Sequence, residues 1–385
     1  MNQPVQNSSA SRAGHRGHSE PRKKPRIDIG VGLPLALDSG AFSIFNKFIV
    51  PNRGKGRGDR QKSNTIRDQM KLTYHKSREF RAYLADYIKY LHAQALPYTF
   101  YVTLDIIFQP EATWEVYQEM RKNGLRPLPV YHFGEDISYL KRYMKDTNYV
   151  GLGGLGHESN RERYKSFADP AWKVLCDGDY KRKPPTHKVH GFAIGGYELI
   201  SRYPWTSVDA TTPLYFGRMG GILIPKFYRS GPDYSGVPSQ LSVTQRTGTN
   251  KKHVGHHREG GAKEKALAQY LELLGLTKEE VMTDYVARDI ANTYFTNGMM
   301  RAVQRVHSER FGQEYKTLFY VSGTPNHSDP ASILLIVTEW LRNLRFDEHL
   351  GYLGTYYKVR GARQVLEAVL GAWHNVRPKW EEVQK

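Results

Sequence analysis

Short apolar runs alternate along this chain with longer stretches of helical periodicity, and several of the short runs end in an acid or a glycine pair. The run 33–37 ends in Asp38, 98–104 in Asp105, 148–152 in Gly153-Gly154, and the β-branched 206–208 in Asp209. Each reads as a strand of four to eight residues bounded by turn signals. Between them, Phe80, Leu84, Tyr87, Ile88 and Leu91 recur at i, i+4, i+7, i+8 and i+11, which predicts a helix over 76–93. A second helix is expected over 111–123, closed by Gly124, and a third carries Ile137, Leu140 and Met144 on one face. Strands are further expected at 126–134, ending at His132, and at 188–196, 222–227 and 317–322, the last of the series. The polar stretch 160–187 reads as a surface connection. Helices follow at 262–275, 277–310, 328–344 and 360–374.

Strands alternating with helices of this length argue for parallel α/β architecture. A doubly wound open sheet gathers ligands only near its switch point, whereas a closed (β/α)8 barrel of TIM type brings every strand's carboxyl end to one face. Polar groups at five or more strand ends favour the barrel. The expected organisation is a disordered basic arm over 1–30 and one barrel domain over 31–385, interrupted by a basic insertion at about 229–263.

Charge narrows the class of partner. The formal net charge is +18 over 385 residues, so a polyanion is expected, and phosphate neutralisation would supply much of the affinity. Two segments carry this charge with almost no apolar residues: 52-NRGKGRGDRQK-62, with Arg53, Lys55 and Arg57, and 246–258 within the insertion, with Lys251 and Lys252. His253, His256 and His257 sit among lysines with no cysteine nearby, which favours a nucleic-acid contact or a solvated loop over a metal site. The 26 tyrosines offer stacking faces, although half-buried packing accounts for most of them. A single cysteine, Cys176, excludes an intramolecular disulfide or a cysteine-cluster metal site and fits a reducing cytoplasm. No apolar run reaches 18 residues, so no membrane partner is expected.

Asp38, Asp105 and Asp209 carry the candidate chemistry. Carboxylates sharing a partly desolvated cleft have their pKa values pushed apart, so that one attacks as a nucleophile while another holds a proton. Glycosidic chemistry needs that division of labour. Taken singly, each aspartate is as readily a helix cap or an arginine partner.

Five segments, in order, resemble motifs of the tRNA-guanine transglycosylase superfamily. They are 38-DSGAFS-43, the strand end at Asp105, 153-GGL-155, 193-AIGGYELI-200 and 209-DATTPLYFGRMG-220, the last through Asp209, Pro213, Arg218 and Gly220. The resemblance covers roughly residues 33–225. It implies a nucleophile at Asp209, an acid/base at Asp38, and a purine site built from Ser39, Asp105, His132, Gly153, Gly154 and Leu155. His132 stands near the place of the family's purine-reading glutamine. Tyr215 and Leu214 replace the arginine and threonine that face the tRNA loop, and the family's zinc ligands, three cysteines and a histidine, are missing, so no cofactor is expected. These departures resemble the branch, in phages and bacterial modification clusters, that exchanges guanine in DNA for a 7-deazaguanine such as 7-cyano-7-deazaguanine (preQ0). The resemblance then implies DNA as substrate, with Tyr215 and Arg218 among its contacts and other modification enzymes as partners. It also implies protection of that DNA from restriction, in a bacterial or phage-host cytoplasm. A zinc-free tRNA transglycosylase, a DNA glycosylase and an inert nucleic-acid-binding barrel are the alternatives.

Overall fold

The computed structural model describes residues 35–41, 44, 74–93, 99–154, 161–244, 261–322 and 353–358. The arm at 1–30, the segment 52–62, Lys251, Lys252, the three insertion histidines, Leu155 and the helices expected at 328–344 and 360–374 lie outside them.

The fold is mixed α/β, built on a parallel sheet. Its strands are β1 (Leu35–Asp38), β2 (Phe100–Tyr101), β3 (Val130–His132), β4 (Tyr149–Gly153), β5 (Lys188–Gly191), β6 (Ser207–Ala210), β11 (Leu318–Ser322) and β12 (Leu353–Lys358). Their order is β2-β1-β12-β11-β6-β5-β4-β3, and every pairing is parallel. A parallel bridge between Val102 and Leu128 joins the chain just after β2 to the chain just before β3. It is made by Thr103 N–H to Leu128 O at 2.9 Å and Leu128 N–H to Tyr101 O at 2.7 Å. The two ends of the strand order therefore meet.

Parallel strands need crossovers, and helices supply them. α1 (Arg78–Ala93) precedes β2, α2 (Pro110–Lys122) follows it, and α3 (Ile137–Asp146) links β3 to β4. α4 (Arg161–Leu175), α5 (Tyr197–Arg202) and α6 (Thr212–Arg218) follow β4, β5 and β6. α1 buries Phe80, Leu84, Tyr87 and Leu91, the face its periodicity announces. Proline at the first position of α2 lacks an N–H that would have no partner there, and the Asp136 carboxylate caps α3 through Ser138 N–H.

α4 overturns the expectation of a surface connection at 160–187. Tyr164, Ala168, Ala171, Trp172 and Leu175 are all buried and fall at i, i+4, i+7, i+8 and i+11. Interspersed lysines, arginines and acids lie on the opposite side and mask this stripe in a simple reading of polarity. Trp172 stacks on Tyr203 and meets Trp205 edge-on, so this crossover holds one of the largest aromatic clusters of the core.

The strand count also changes. Residues 222–227 do not join the sheet: β7 (Gly221–Ile224) pairs antiparallel with β10 (Ser239–Ser242), while β8 (Lys226–Tyr228) pairs antiparallel with β9 (Gly231–Asp233). Nor is β11 last. β12 inserts between β11 and β1, in the stretch 353-LGTYYK-358, to which the pattern along the chain assigned no element. The first half of the insertion at 229–263 is thus ordered sheet rather than loop. The helix expected over 277–310 divides into α8 (Lys278–Thr283), opened by a Thr277–Glu280 capping box, and α9 (Tyr285–Phe311), capped by Asp284. α7 (Ala262–Leu274) precedes them and ends on Gly275 in the left-handed region.

One face of the sheet packs Ala36, Phe100, Val102, Leu128, Val130 and Tyr320 together, with Tyr149, Phe192 and Leu318 against them. The other face supports the helices, and the strand alternation decides which residues go where. Gly151 leaves room on one side for the Phe192 ring, and Gly191 on the other for Trp205. Many of the described tyrosines serve this packing: Tyr87, Tyr117, Tyr143, Tyr203, Tyr270 and Tyr320 are fully buried. Cys176 is buried too, and desolvation pushes its thiol up to about 12, leaving it unreactive. Among the described residues no helix is long and apolar enough to cross a membrane.

Candidate active site

Because the sheet is parallel, the carboxyl ends of β1, β3, β4, β5 and β6 lie along one edge, and that edge carries the acids. Asp38 is the last residue of β1. Its Oδ1 accepts the Gly40 N–H at 3.2 Å, in a turn that Gly40 completes with a φ of +76°. Ser39 is fully buried and its Oγ accepts the Ala41 N–H, so its hydroxyl serves the turn.

Asp209 lies in β6, buried to 5% exposure. Its Oδ1 accepts the backbone N–H of Ala193 at 2.9 Å. Ala193 adopts a φ of +59°, a left-handed conformation that costs an alanine on the order of 1–2 kcal/mol. The strain aims an N–H at the acid, and Gly195, whose Cβ would stand 2.9 Å from Ala210 Cβ, lets the same turn lie against β6. The 193-AIGGYELI-200 segment therefore orients the acid of the later 209–220 segment.

Asp105 follows β2 by four residues and is 7% exposed. Its Oδ2 lies 2.7 Å from His132 Nε2, and His132 Nδ1 lies 3.2 Å from Glu135 Oε1. All three side chains are almost fully buried. Burial disfavours a charged imidazole, but hydrogen bonds to Asp105 and Glu135 outweigh it and raise the His132 pKa to about 10. His132 is therefore an imidazolium at neutral pH, donating from both nitrogens.

Gly153 and Gly154 end β4 beside this group. A Cβ on Gly153 would press into Val130 and the His132 ring, and Gly154 has a φ of +75° with its Cα packed close to Phe133 N. Three residues beyond Asp105, Phe108 stands nearly half exposed with a φ of +64°. An aromatic residue held exposed in that conformation offers a face at the same edge.

His190 was invisible to motif reasoning. It lies one strand from Asp209, fully buried, with Nε2 3.6 Å from Asp209 Oδ1. Its Nδ1 pairs with Ser207 Oγ at 2.7 Å, and Ser207 also meets the Tyr149 hydroxyl at 2.6 Å. Desolvation lowers its pKa against the pull of Asp209, so it is neutral at physiological pH. The only sequence signal was a histidine inside an otherwise apolar strand.

Arg218 corrects an expectation. Its side chain is only 7% exposed, and Nε lies 3.9 Å from the buried carboxylate of Asp289. It packs inside the protein instead of facing a nucleic acid. Tyr215 is about half exposed on α6, and Met219, which follows that helix, is more so. No cluster of three or more metal-ligating side chains occurs among the described residues.

No family model matches the chain, and no curated protein or solved structure is similar to it.

Proposed function

We propose that this protein is a guanine transglycosylase built on a closed (β/α)8 barrel, exchanging guanine in DNA for a 7-deazaguanine. The observation that carries the reading is the gathering of Asp38, Asp105 and Asp209 at the carboxyl edge of one parallel sheet, with Asp209 oriented by the Ala193 N–H. The Val102–Leu128 bridge supports closure, and the edge is where parallel barrels carry their chemistry.

In this mechanism an Asp209 carboxylate oxygen bonds to C1′ as the C1′–N9 bond breaks. The electron pair departs with guanine, which takes a proton from Asp38. The incoming base gives its own N9 proton to Asp38, attacks C1′ through N9 and releases Asp209. One glycosidic bond replaces another, so no redox or phosphate energy is needed. The target nucleotide leaves its stack to reach the acids. DNA is favoured over tRNA because Tyr215, exposed on α6, presents a ring where a guanidinium would suit RNA.

The test is nucleoside mass spectrometry of DNA incubated with the protein and candidate bases. The wild type is expected to insert a 7-deazaguanine, whereas Asp209→Ala abolishes both exchange and a covalent DNA adduct while retaining DNA binding. Guanine release without insertion marks a glycosylase, and exchange confined to tRNA marks an RNA enzyme. Exchange by Asp209→Ala removes the nucleophile assignment.

A further inference from the structure

Glu135 belongs to none of the segments that suggested the chemistry, yet it completes an almost fully buried polar group at the sheet edge. The turn from His132 to Glu135 is closed by Glu135 N–H to His132 O at 3.1 Å and carries Gly134 at a φ of +89°. That turn folds the Glu135 side chain back on the residue three before it. One carboxylate oxygen accepts the His132 backbone N–H at 2.9 Å, and the other faces ring Nδ1 at 3.2 Å. Ring position and proton are then both determined. With Nδ1–H committed to Glu135, Nε2 is aimed at Asp105 Oδ2, 2.7 Å away.

This arrangement leaves His132 no nitrogen with which to read a ligand. It also decides what Asp105 can be. The His132 Nε2–H donor takes up one side of Oδ2, and a carboxylate presents only acceptor oxygens to anything else that meets it. Among the described residues no hydrogen bond engages Asp105 Oδ1. Among the described residues, the other titratable groups around the set are Tyr74, which feels Asp105, Tyr143 on α3, which feels both carboxylates, and Tyr131 and Tyr139, which feel Glu135. Burial holds all four phenols above their usual range, so none supplies a competing charge.

We propose that Glu135 is a positioning residue: by holding His132 at Nδ1 it fixes Asp105 as a hydrogen-bond acceptor, selecting planar heterocycles whose edge presents N–H donors. A lactam edge with an adjacent amino group, as in guanine and 7-deazaguanine, fits such an acceptor, and an edge whose ring nitrogen is itself an acceptor does not. The ligand class rests on the transglycosylase reading, whereas the Glu135–His132–Asp105 linkage stands on the geometry alone.

The test follows His132 directly. In the full-length 15N-labelled chain its ring signals are identified by their loss in His132→Gln, and are followed from pH 5 to 10. Binding of 7-deazaguanine is measured by fluorescence in parallel. The wild-type ring is expected to remain doubly protonated through pH 8. Glu135→Gln is expected to lower the midpoint by at least one pH unit and to weaken 7-deazaguanine binding about tenfold, with Glu135→Asp restoring part of both. A wild-type midpoint at or below the ordinary histidine value overturns the linkage without reference to any variant, as does an unmoved midpoint in folded Glu135→Gln. If the midpoint shifts as expected while the wild type neither binds 7-deazaguanine nor exchanges bases, the linkage stands and the transglycosylase reading falls. If exchange proceeds and Glu135→Gln leaves it unchanged, the reading stands and the role of Glu135 is overturned.

Discussion

His132 binds its proton far more tightly in the fold than it would in an unfolded chain, and that difference is a stability term with a defined sign. Its pKa rises from 6.5 to about 10, so between these values the folded state holds a proton that the unfolded state has lost. The contribution is fully present below about pH 6.5 and declines as pH rises toward 10. The Cys176 thiol, at 9.0 in an unfolded chain and about 12 in the fold, and the buried phenols contribute only above about pH 8.5, which leaves about pH 7.5 to 8.5 diagnostic of this histidine. Thermal melts across that window are expected to show a falling midpoint in the wild type and a flatter profile in His132→Gln. A slope that survives the substitution would place the proton elsewhere.

α6 follows Asp209 directly, and its position is imposed by one turn of α9. Arg288 Nε donates to Gly217 O at 2.6 Å, and Asn292 Nδ2 donates to Pro213 O at 3.0 Å and to Gly221 O at 3.1 Å. Asn292 Oδ1 in turn accepts Leu223 N–H at 2.7 Å, tying in β7. Between them Asp289 sits fully buried against Gly217, where burial raises its carboxyl to about 7 despite the nearby Arg218 and Arg288. A Cβ on Gly217 would come within hard contact of Asp289 Oδ1 and stand 3.2 Å from Asn292 Nδ2. Alanine improves helix propensity by about 1 kcal/mol, whereas overpacking costs about 1–3 kcal/mol. The second effect wins, so Gly217→Ala is expected to lower stability in denaturant melts and to reduce exchange by moving α6. A more stable Gly217→Ala would show that the clamp yields.

At the scale of the whole molecule the question is how a chain of net charge +18 would meet the DNA proposed as its substrate. Tyr215 on α6 and Met219, which follows that helix, are exposed, next in the chain to the proposed nucleophile strand. Surface substitutions of this kind change stability by no more than about 0.5 kcal/mol. Losing a base-stacking ring costs about 1–3 kcal/mol, roughly 5- to 150-fold in affinity. Tyr215→Ala is therefore expected to melt like the wild type yet exchange into DNA far less well. Competition between matched DNA and RNA oligonucleotides and folded tRNA, scored by labelled-base incorporation, checks it; a preference for tRNA would overturn the DNA assignment.

Local pattern was enough to place most strands and helices, because apolar periodicity and turn chemistry act over a few residues. β1, β4, β6, α1, α2 and α7 fall within a few residues of their expected bounds, and Asp38 and Asp209 lie at strand ends as the runs before them indicated. Three features needed the tertiary structure. β12 carries strand-favouring residues but no alternating run that marks it, and its place between β11 and β1 is set by pairing with both. The 222–227 run has the composition of a sheet strand, yet it pairs with β10, since register is a choice among partners and not a property of the run. Arg218 reads as a phosphate ligand until Asp289, 71 residues further along, is found beneath it. The same holds at the candidate site: the sequence contains each acid, but the hydrogen bonds from Ala193 to Asp209 and from His132 to Asp105 span 16 and 27 residues. Contacts of that reach form only when the sheet brings separate strand ends together, and they determine which proton each side chain carries.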